Sequence, residues 1–112
     1  MKLKVFGKDG VYLEIDVKKF EAASSSGKYE IMKGHAPFVA DVVPCVVKYE
    51  FDEKVGRFFT TAGVVEYDGE NINMWVVDYI TDIDEFERAL EKVADEWKPI
   101  ARAVLEEEGQ AS

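Results

Sequence analysis

Cysteine and histidine are nearly missing from this chain, and each occurs once in 112 residues. A single cysteine cannot close an internal disulfide, so Cys45 is expected as a free thiol in a reducing compartment. One histidine and one cysteine are too few ligands for a structural zinc site. They also confine any Cys-His or Ser-His-Asp chemistry to His35. No Gly-rich phosphate loop of the Walker type is present. No apolar run of about 18 residues occurs, which argues against a membrane-spanning helix. A basic start followed by an apolar stretch and small residues is also missing, so a secretory leader is not expected. Basic charge is scarce: 14 Lys and Arg stand against 23 Asp and Glu, for a net charge of −9. No basic face is visible, which disfavours nucleic acid and direct insertion at an anionic lipid surface.

What is present is a chain of ordinary globular composition, with 47% hydrophobic and 33% charged residues. Its length allows one domain with a small appendage. Such a chain buries roughly two thirds of the surface it exposes when unfolded. The acidity is uneven. Residues 1–81 carry 13 acids and 10 bases, whereas residues 82–112 carry 10 acids and 4 bases.

The first part reads as short strands. Lys2 to Phe6 alternates, and Gly7-Lys8-Asp9-Gly10 is a turn. Val11, Leu13, Ile15 and Val17 alternate with polar residues and predict a half-buried strand. Lys18 to Ala23 continues extended, and Ser24 to Gly27 is a polar loop. Tyr29 to Met32 and Phe38 to Val43 are strands around Gly34-His35-Ala36-Pro37. That turn is stiff because Pro37 fixes its own φ and biases Ala36 to extended backbone. Pro44 breaks the run. Cys45 to Phe51 is a strand, with residues 52–56 as a hairpin loop. Arg57 to Ala62, Val64 to Tyr67 and Asn71 to Tyr79 follow, with Asp68-Gly69 as the strongest hairpin signal. Turns every 8–12 residues or so point to a sandwich or barrel rather than an alternating α/β fold.

The period changes at Thr81. Asp82 with Glu85 three residues later reads as a helix N-cap. Ile83, Phe86, Leu90, Val93 and Trp97 then form one apolar stripe. Pro99 would clash with the carbonyl of Asp95, so a helix over 82–98 should end there. A second short helix over 100–108 should close at Gly109. The fold class is therefore mainly β plus α: an antiparallel β-sandwich or flattened barrel over 1–80, then a helix or short helical hairpin over 81–112. The aromatic set Phe51, Phe58, Phe59, Tyr67, Trp75 and Tyr79 is expected mostly in the core. Adjacent Phe58 and Phe59 must face opposite sides of their strand.

One stretch carries a resemblance. Gly27-x-x-x-Ile31-x-x-Gly34-His35-Ala36-Pro37-Phe38 is similar to the signature segment of the epsilon subunit of F-type ATP synthases. Met1 to Phe6 with Asp9-Gly10-Val11 resembles that family's first hairpin. Ala62 to Tyr67 and Asn71 to Asp78 resemble its later strands, in the same order and spacing. The resemblance covers the chain to about Trp97 and suggests a bacterial type with a shortened C-terminal helical region.

The resemblance implies a non-catalytic central-stalk (rotor) subunit on the cytoplasmic side of the bacterial inner membrane, peripheral, with no cofactor and no metal. It implies a gamma-subunit interface at His35, Ala36, Pro37, Val39, Ala40 and Thr61. It implies a c-ring contact loop at Ser26, Gly27, Lys28 and Tyr29, where Lys28 stands at a position often acidic in the family. The C-terminal helix would touch the alpha and beta catalytic subunits only weakly, because that region is short, acidic and interrupted by Pro99. Some members bind ATP through Ile/Leu-Asp-x-x-Arg-Ala. Here Ile83, Asp84 and Arg88 carry one extra residue, which turns Arg88 by about 100° on a helix. Weak or absent ATP binding follows. Two other readings stay open at this stage: a stand-alone β-sandwich module binding a peptide or small ligand, and a small hydrolase using Cys45 and His35.

Overall fold

The computed structural model describes residues 1–110, with side chains to residue 108. Nine strands form two sheets. They are β1 (Lys2–Gly7), β2 (Gly10–Asp16), β3 (Lys19–Ser24), β4 (Gly27–Met32), β5 (Phe38–Val42), β6 (Cys45–Phe51), β7 (Lys54–Thr60), β8 (Gly63–Tyr67) and β9 (Ile72–Val76). One sheet has the order β2-β1-β9-β8-β5 and the other β4-β3-β6-β7. Their inner faces meet in one core. Leu3, Val5, Phe20, Val47, Phe58 and Met74 are all fully buried there.

The sandwich is not wholly antiparallel. β1 and β9 pair parallel, with Leu3 opposite Ile72 and Val5 opposite Met74. Hairpins impose antiparallel pairing only on neighbours in sequence, whereas parallel strands need a long crossover. Here everything between the first and last strands is that crossover.

The β6–β7 loop is shorter than expected. The strands run on to a two-residue turn, Asp52-Glu53, with φ of 45° and 63°. Both residues lie in the left-handed region that this hairpin turn demands. The β8–β9 loop holds four residues, 68–71, and only Gly69 has positive φ. The Asp68 carboxylate accepts hydrogen bonds from the Glu70 and Asn71 N–H groups, each at 2.8 Å. These bonds, from Asn71 first and then Glu70, hold that carboxyl below its ordinary range.

After β9 the chain crosses to the other sheet. Ile80 pairs with Phe59 at the edge of β7, through N–H···O bonds of 2.6 and 3.0 Å. Asp82 then caps α1 (Ile83–Ala89) by accepting from the Asp84 N–H at 3.2 Å. The expected single helix over 82–98 is broken. A 3-10 turn at Leu90–Lys92 leads to extended Val93, a second 3-10 turn covers Asp95–Trp97, and α2 spans Lys98–Gln110. The break lies at Val93-Ala94, not at Pro99. By restarting there, the chain places Pro99 in the first turn of α2, where its missing N–H costs nothing. α2 is longer than the predicted 100–108 piece and continues through Gly109.

The helices pack on the outer face of the four-stranded sheet. Phe59, Ile80, Phe86, Leu90 and Ala101 form a second buried cluster. Phe59 and Phe86 stack with centroids 4.8 Å apart. Phe58, one residue earlier, is buried in the sandwich core. The two phenylalanines thus serve opposite faces, as strand alternation requires.

Candidate docking surfaces

The Gly34–Pro37 turn stands out from the sheet edge. Gly34 has φ of 95°, a conformation glycine takes without strain. His35, Ala36 and Pro37 are all exposed. The His35 N–H donates to the Met32 carbonyl at 3.0 Å, and its ring Nδ1 lies 2.6 Å from the Ala36 carbonyl oxygen. The ring also rests against Phe38, 5.0 Å between centroids. The imidazole is therefore engaged by its own turn.

The structure separates the other residues grouped with it. Val39 is 67% exposed on the outer face of the five-stranded sheet. Ala40 pairs with fully buried Val65 and turns toward the core. Thr61 belongs to the β7–β8 corner. There its N–H and hydroxyl both donate to the Asp78 carboxylate at 2.8 Å, and Thr60 donates to the same group at 3.0 Å.

The β3–β4 hairpin turns through Ser25-Ser26, with Gly27 at φ of 122°. The Ser26 N–H donates to Ser24 Oγ at 3.1 Å, and the Ser25 N–H donates to Asp41 at 3.2 Å. Ser26, Gly27 and Lys28 are exposed. Tyr29 is not part of this tip. It turns inward and packs edge-on against Phe38, 5.5 Å between centroids. Burial pushes its hydroxyl pKa up.

Ile83, Asp84 and Arg88 do not converge. Ile83 packs with the helical cluster, while Asp84 is exposed in the first turn. Arg88, with Lys92 one turn on, lines a cleft of about 780 Å³ between α1 and the sandwich, opposite Lys8, Tyr12 and Tyr79. Cys45 is buried, and burial pushes its thiol from its usual value near 9 to about 11. A thiol so held is not a nucleophile near neutral pH.

Two features escaped sequence reasoning. The first is an apolar row across the open outer face of the five-stranded sheet. Val11 pairs with Phe6, Phe6 with Trp75, and Trp75 with Val64. Trp75 was expected in the core, yet it is 41% exposed, with Val64 at 43% and Val11 at 55%. The Phe6 and Trp75 rings meet edge to face at 4.7 Å. The signal was available: Ile72, Met74 and Val76 claim the inner face of β9, which leaves Trp75 outside. The second is Glu108, whose side chain is 4% exposed and held by Lys48 and Arg57.

The two-sheet sandwich thus has one face roofed by helices and the other open, crossed by an apolar row beside a charged one. The profile described as "ATP synthase, Delta/Epsilon chain, beta-sandwich domain" matches residues 1–82, and the chain belongs to that family. Over 65 residues it is 34% identical to the ATP synthase epsilon chain of Ruminococcus albus, covering 58% of this chain and 48% of that protein. Over 72 residues it is 28% identical to the epsilon chain of Clostridium novyi, covering 63% and 55%. The matched stretch thus spans about half the length of these curated relatives. Two solved assemblies share the fold. One is the central stalk and c-ring of the Tetrahymena thermophila mitochondrial ATP synthase, with TM-score 0.63, 18% identity and coverage of 76% and 68% of the two chains. The other is the OSCP/F1/c-ring of the Euglena gracilis enzyme, with TM-score 0.68, 14% identity and coverage of 92% and 72%.

Proposed function

We propose that this chain is a non-catalytic central-stalk subunit of a rotary F-type ATP synthase. In this reading the sandwich, residues 1–80, joins the gamma shaft to the c-ring, so that rotation of the ring driven by the ion gradient turns gamma. The task asks for stiffness and complementary surfaces. The observation that carries it is the open row Val11–Phe6–Trp75–Val64, with Val39 one outward row along and the His35-Ala36-Pro37 turn at the other end of the same sheet. Aromatic residues on an otherwise uncovered face are the usual anchors of a protein interface. This face is the proposed gamma side. The tip at Ser26, Gly27 and Lys28 is the proposed ring contact, and Lys28 offers it a cation. Among the described residues no helix is long and apolar enough to cross a membrane; the proposed place, peripheral on the cytoplasmic side, follows from the stalk reading. The helical layer lies against the sandwich, and residues 81–112 are proposed to exert weak inhibition of hydrolysis at most.

Native co-purification from source-cell membranes tests the reading. A tag after Ser112 should recover gamma, the catalytic subunits and the c-ring. Recovery of the chain alone from soluble extract would overturn it and favour a stand-alone binding module. Deleting residues 98–112 should change ATP hydrolysis by less than about twofold, since the segment offers few basic contacts to the acidic catalytic subunits. A several-fold rise would refute the weak-inhibition part alone.

A further inference from the structure

The outer face of the four-stranded sheet is graded along β6 and β7. Val46 and Phe59 lie opposite each other at one end and carry the helical cluster. The next outward pair along the same strands is Lys48 and Arg57. Helix α2 follows that gradient. Ala101, Val104 and Leu105 meet the apolar end. Glu108, one turn further, sets its carboxylate 3.4 Å from Lys48 Nζ and 2.7 Å from Arg57 Nη1. Glu107 reaches Lys28 on β4 at 3.5 Å. Glu108 is the one charged residue in the buried class among the described residues, and a carboxylate so buried is sustained by its cations.

One side of the helix is not closed against the sheet. A cleft of about 310 Å³ opens between it and the sheet, lined by Pro44, Val46, Ile100 and Val104. Side chains along such a gap forgo dispersion contacts, so on that side the ion pairs add to the hold given by buried Ala101. Two acids, Glu21 and Glu30, continue the cross-strand row beyond Lys48. Lys19 on β3 shares this face but is already bridged to Glu30 at 3.2 Å, which leaves Lys48 and Arg57, with Lys28 at the rim, as the basic ground near α2.

We propose that Lys48 and Arg57, with Lys28 at the rim, form a carboxylate-receiving site that α2 now occupies. An acidic helix of a partner protein, with two adjacent carboxylates behind an apolar stripe, takes this site in competition with α2. The occupant is inferred from the one already seated, since Glu107, Glu108 and the stripe before them complement the floor in charge and polarity. A tethered α2 competes at an effective concentration on the order of mM. It therefore acts as an autoinhibitory cover that excludes weak acidic helices and yields to strong ones.

The test uses the full chain and a fluorescent synthetic peptide of residues 98–110. The Glu107→Gln/Glu108→Gln double variant should bind the peptide at least about tenfold more tightly than the unaltered chain, because its internal competitor is weakened. Adding Lys48→Glu and Arg57→Glu should abolish that binding. A peptide with Gln at 106, 107 and 108 should bind at least about tenfold more weakly. Equal affinity of variant and unaltered chain, or of acidic and neutral peptides, overturns the proposal. If the double variant does not fold, hydrogen exchange on the unaltered chain decides. Saturating acidic peptide should speed exchange in α2 and leave the strands protected, and unchanged α2 exchange overturns the proposal. No ATP synthase subunit enters these assays, so their failure leaves the stalk reading intact.

Discussion

The two outer faces of this sandwich have met the same problem in different ways. Each sheet presents apolar side chains away from the core. On the four-stranded sheet, Val46 and Phe59 are covered by Phe86, Leu90 and Ala101 of the chain's own helical layer. On the five-stranded sheet, Phe6, Val64 and Trp75 have no such roof and remain partly exposed. Covering apolar area contributes roughly 25 cal/mol per Å². The first face takes that contribution on folding, while the second keeps it available for a partner. Assembly is to be looked for first at the face the chain leaves open, and second at the face where a cleft remains under α2.

That comparison can be broken by substitution. The largest effect is expected at the boundary between core and roof. Phe58→Ala should cost about 3–5 kcal/mol and destabilise the whole sandwich, as loss of a buried phenylalanine does. Phe59→Ala should instead loosen the helical layer first, so hydrogen exchange would rise in α1 and α2 before the strands. Simultaneous loss of protection in both would merge the two regions into one cooperative unit.

Alkaline titration probes the shared core. The Cys45 thiol is raised from near 9 to about 11 in the fold. Its neutral form is favoured by folding, so this contribution is fully present below pH 9 and is lost as pH rises toward 11. A shift of that size corresponds to about 3 kcal/mol. Urea denaturation should show the decline over that window, and Cys45→Ser should remove the part that begins near pH 9, leaving the later loss from Tyr29, Tyr49 and Tyr79, whose hydroxyls burial also raises. Thiol labelling of the folded chain at pH 8 should be slow, and rapid labelling would contradict the burial.

On the open face, if the proposed gamma contact is there, Trp75→Ala should weaken that assembly by about 2 kcal/mol or more. It should lower the stability of the isolated chain by no more than about 1 kcal/mol, from loss of the Phe6 ring contact. The reverse pattern, with stability hit and assembly spared, would make the row structural.

The smallest effect is local. Glu53→Gly should raise stability by about 1 kcal/mol, because Glu53 holds φ of 63° in a two-residue turn that favours glycine there. Isothermal titration should also give no ATP binding in the physiological range, since Ile83, Asp84 and Arg88 point into different surroundings. Measurable affinity would show that Arg88 and Lys92 in the cleft suffice.

Much of the fold was legible in particular residues. Alternation of Val11, Leu13 and Ile15, and of the residues of β6, announced strands because a pleated chain shows its side chains with period two. Asp82 announced the helix start through its side-chain oxygen. The opposed phenylalanines followed from the same alternation. The helix break was not legible, because the stripe from Ile83 to Trp97 keeps helical spacing straight through Val93. Nor was Glu108, which sits in a run of three acids that reads as solvated charge. Its cations lie about half the chain away in β6 and β7. Tyr29 and Ala40 were placed on a surface by their neighbours in sequence, whereas strand parity sends both inward.

Local matters were settled within short stretches of chain: which segments extend, where glycine and proline bend them, where the helix begins, and that Cys45 stands alone. These depend on dihedral preferences and on patterns within a few residues. Tertiary structure alone decided the parallel pairing of β1 with β9, the covered and open faces, and the burial of Glu108 between Lys48 and Arg57. Each of these depends on groups far apart in sequence whose meeting is set by how the two sheets and the helical layer pack together. A carboxylate's surroundings, or a tryptophan's exposure, is a property of that packing and not of the residues beside it.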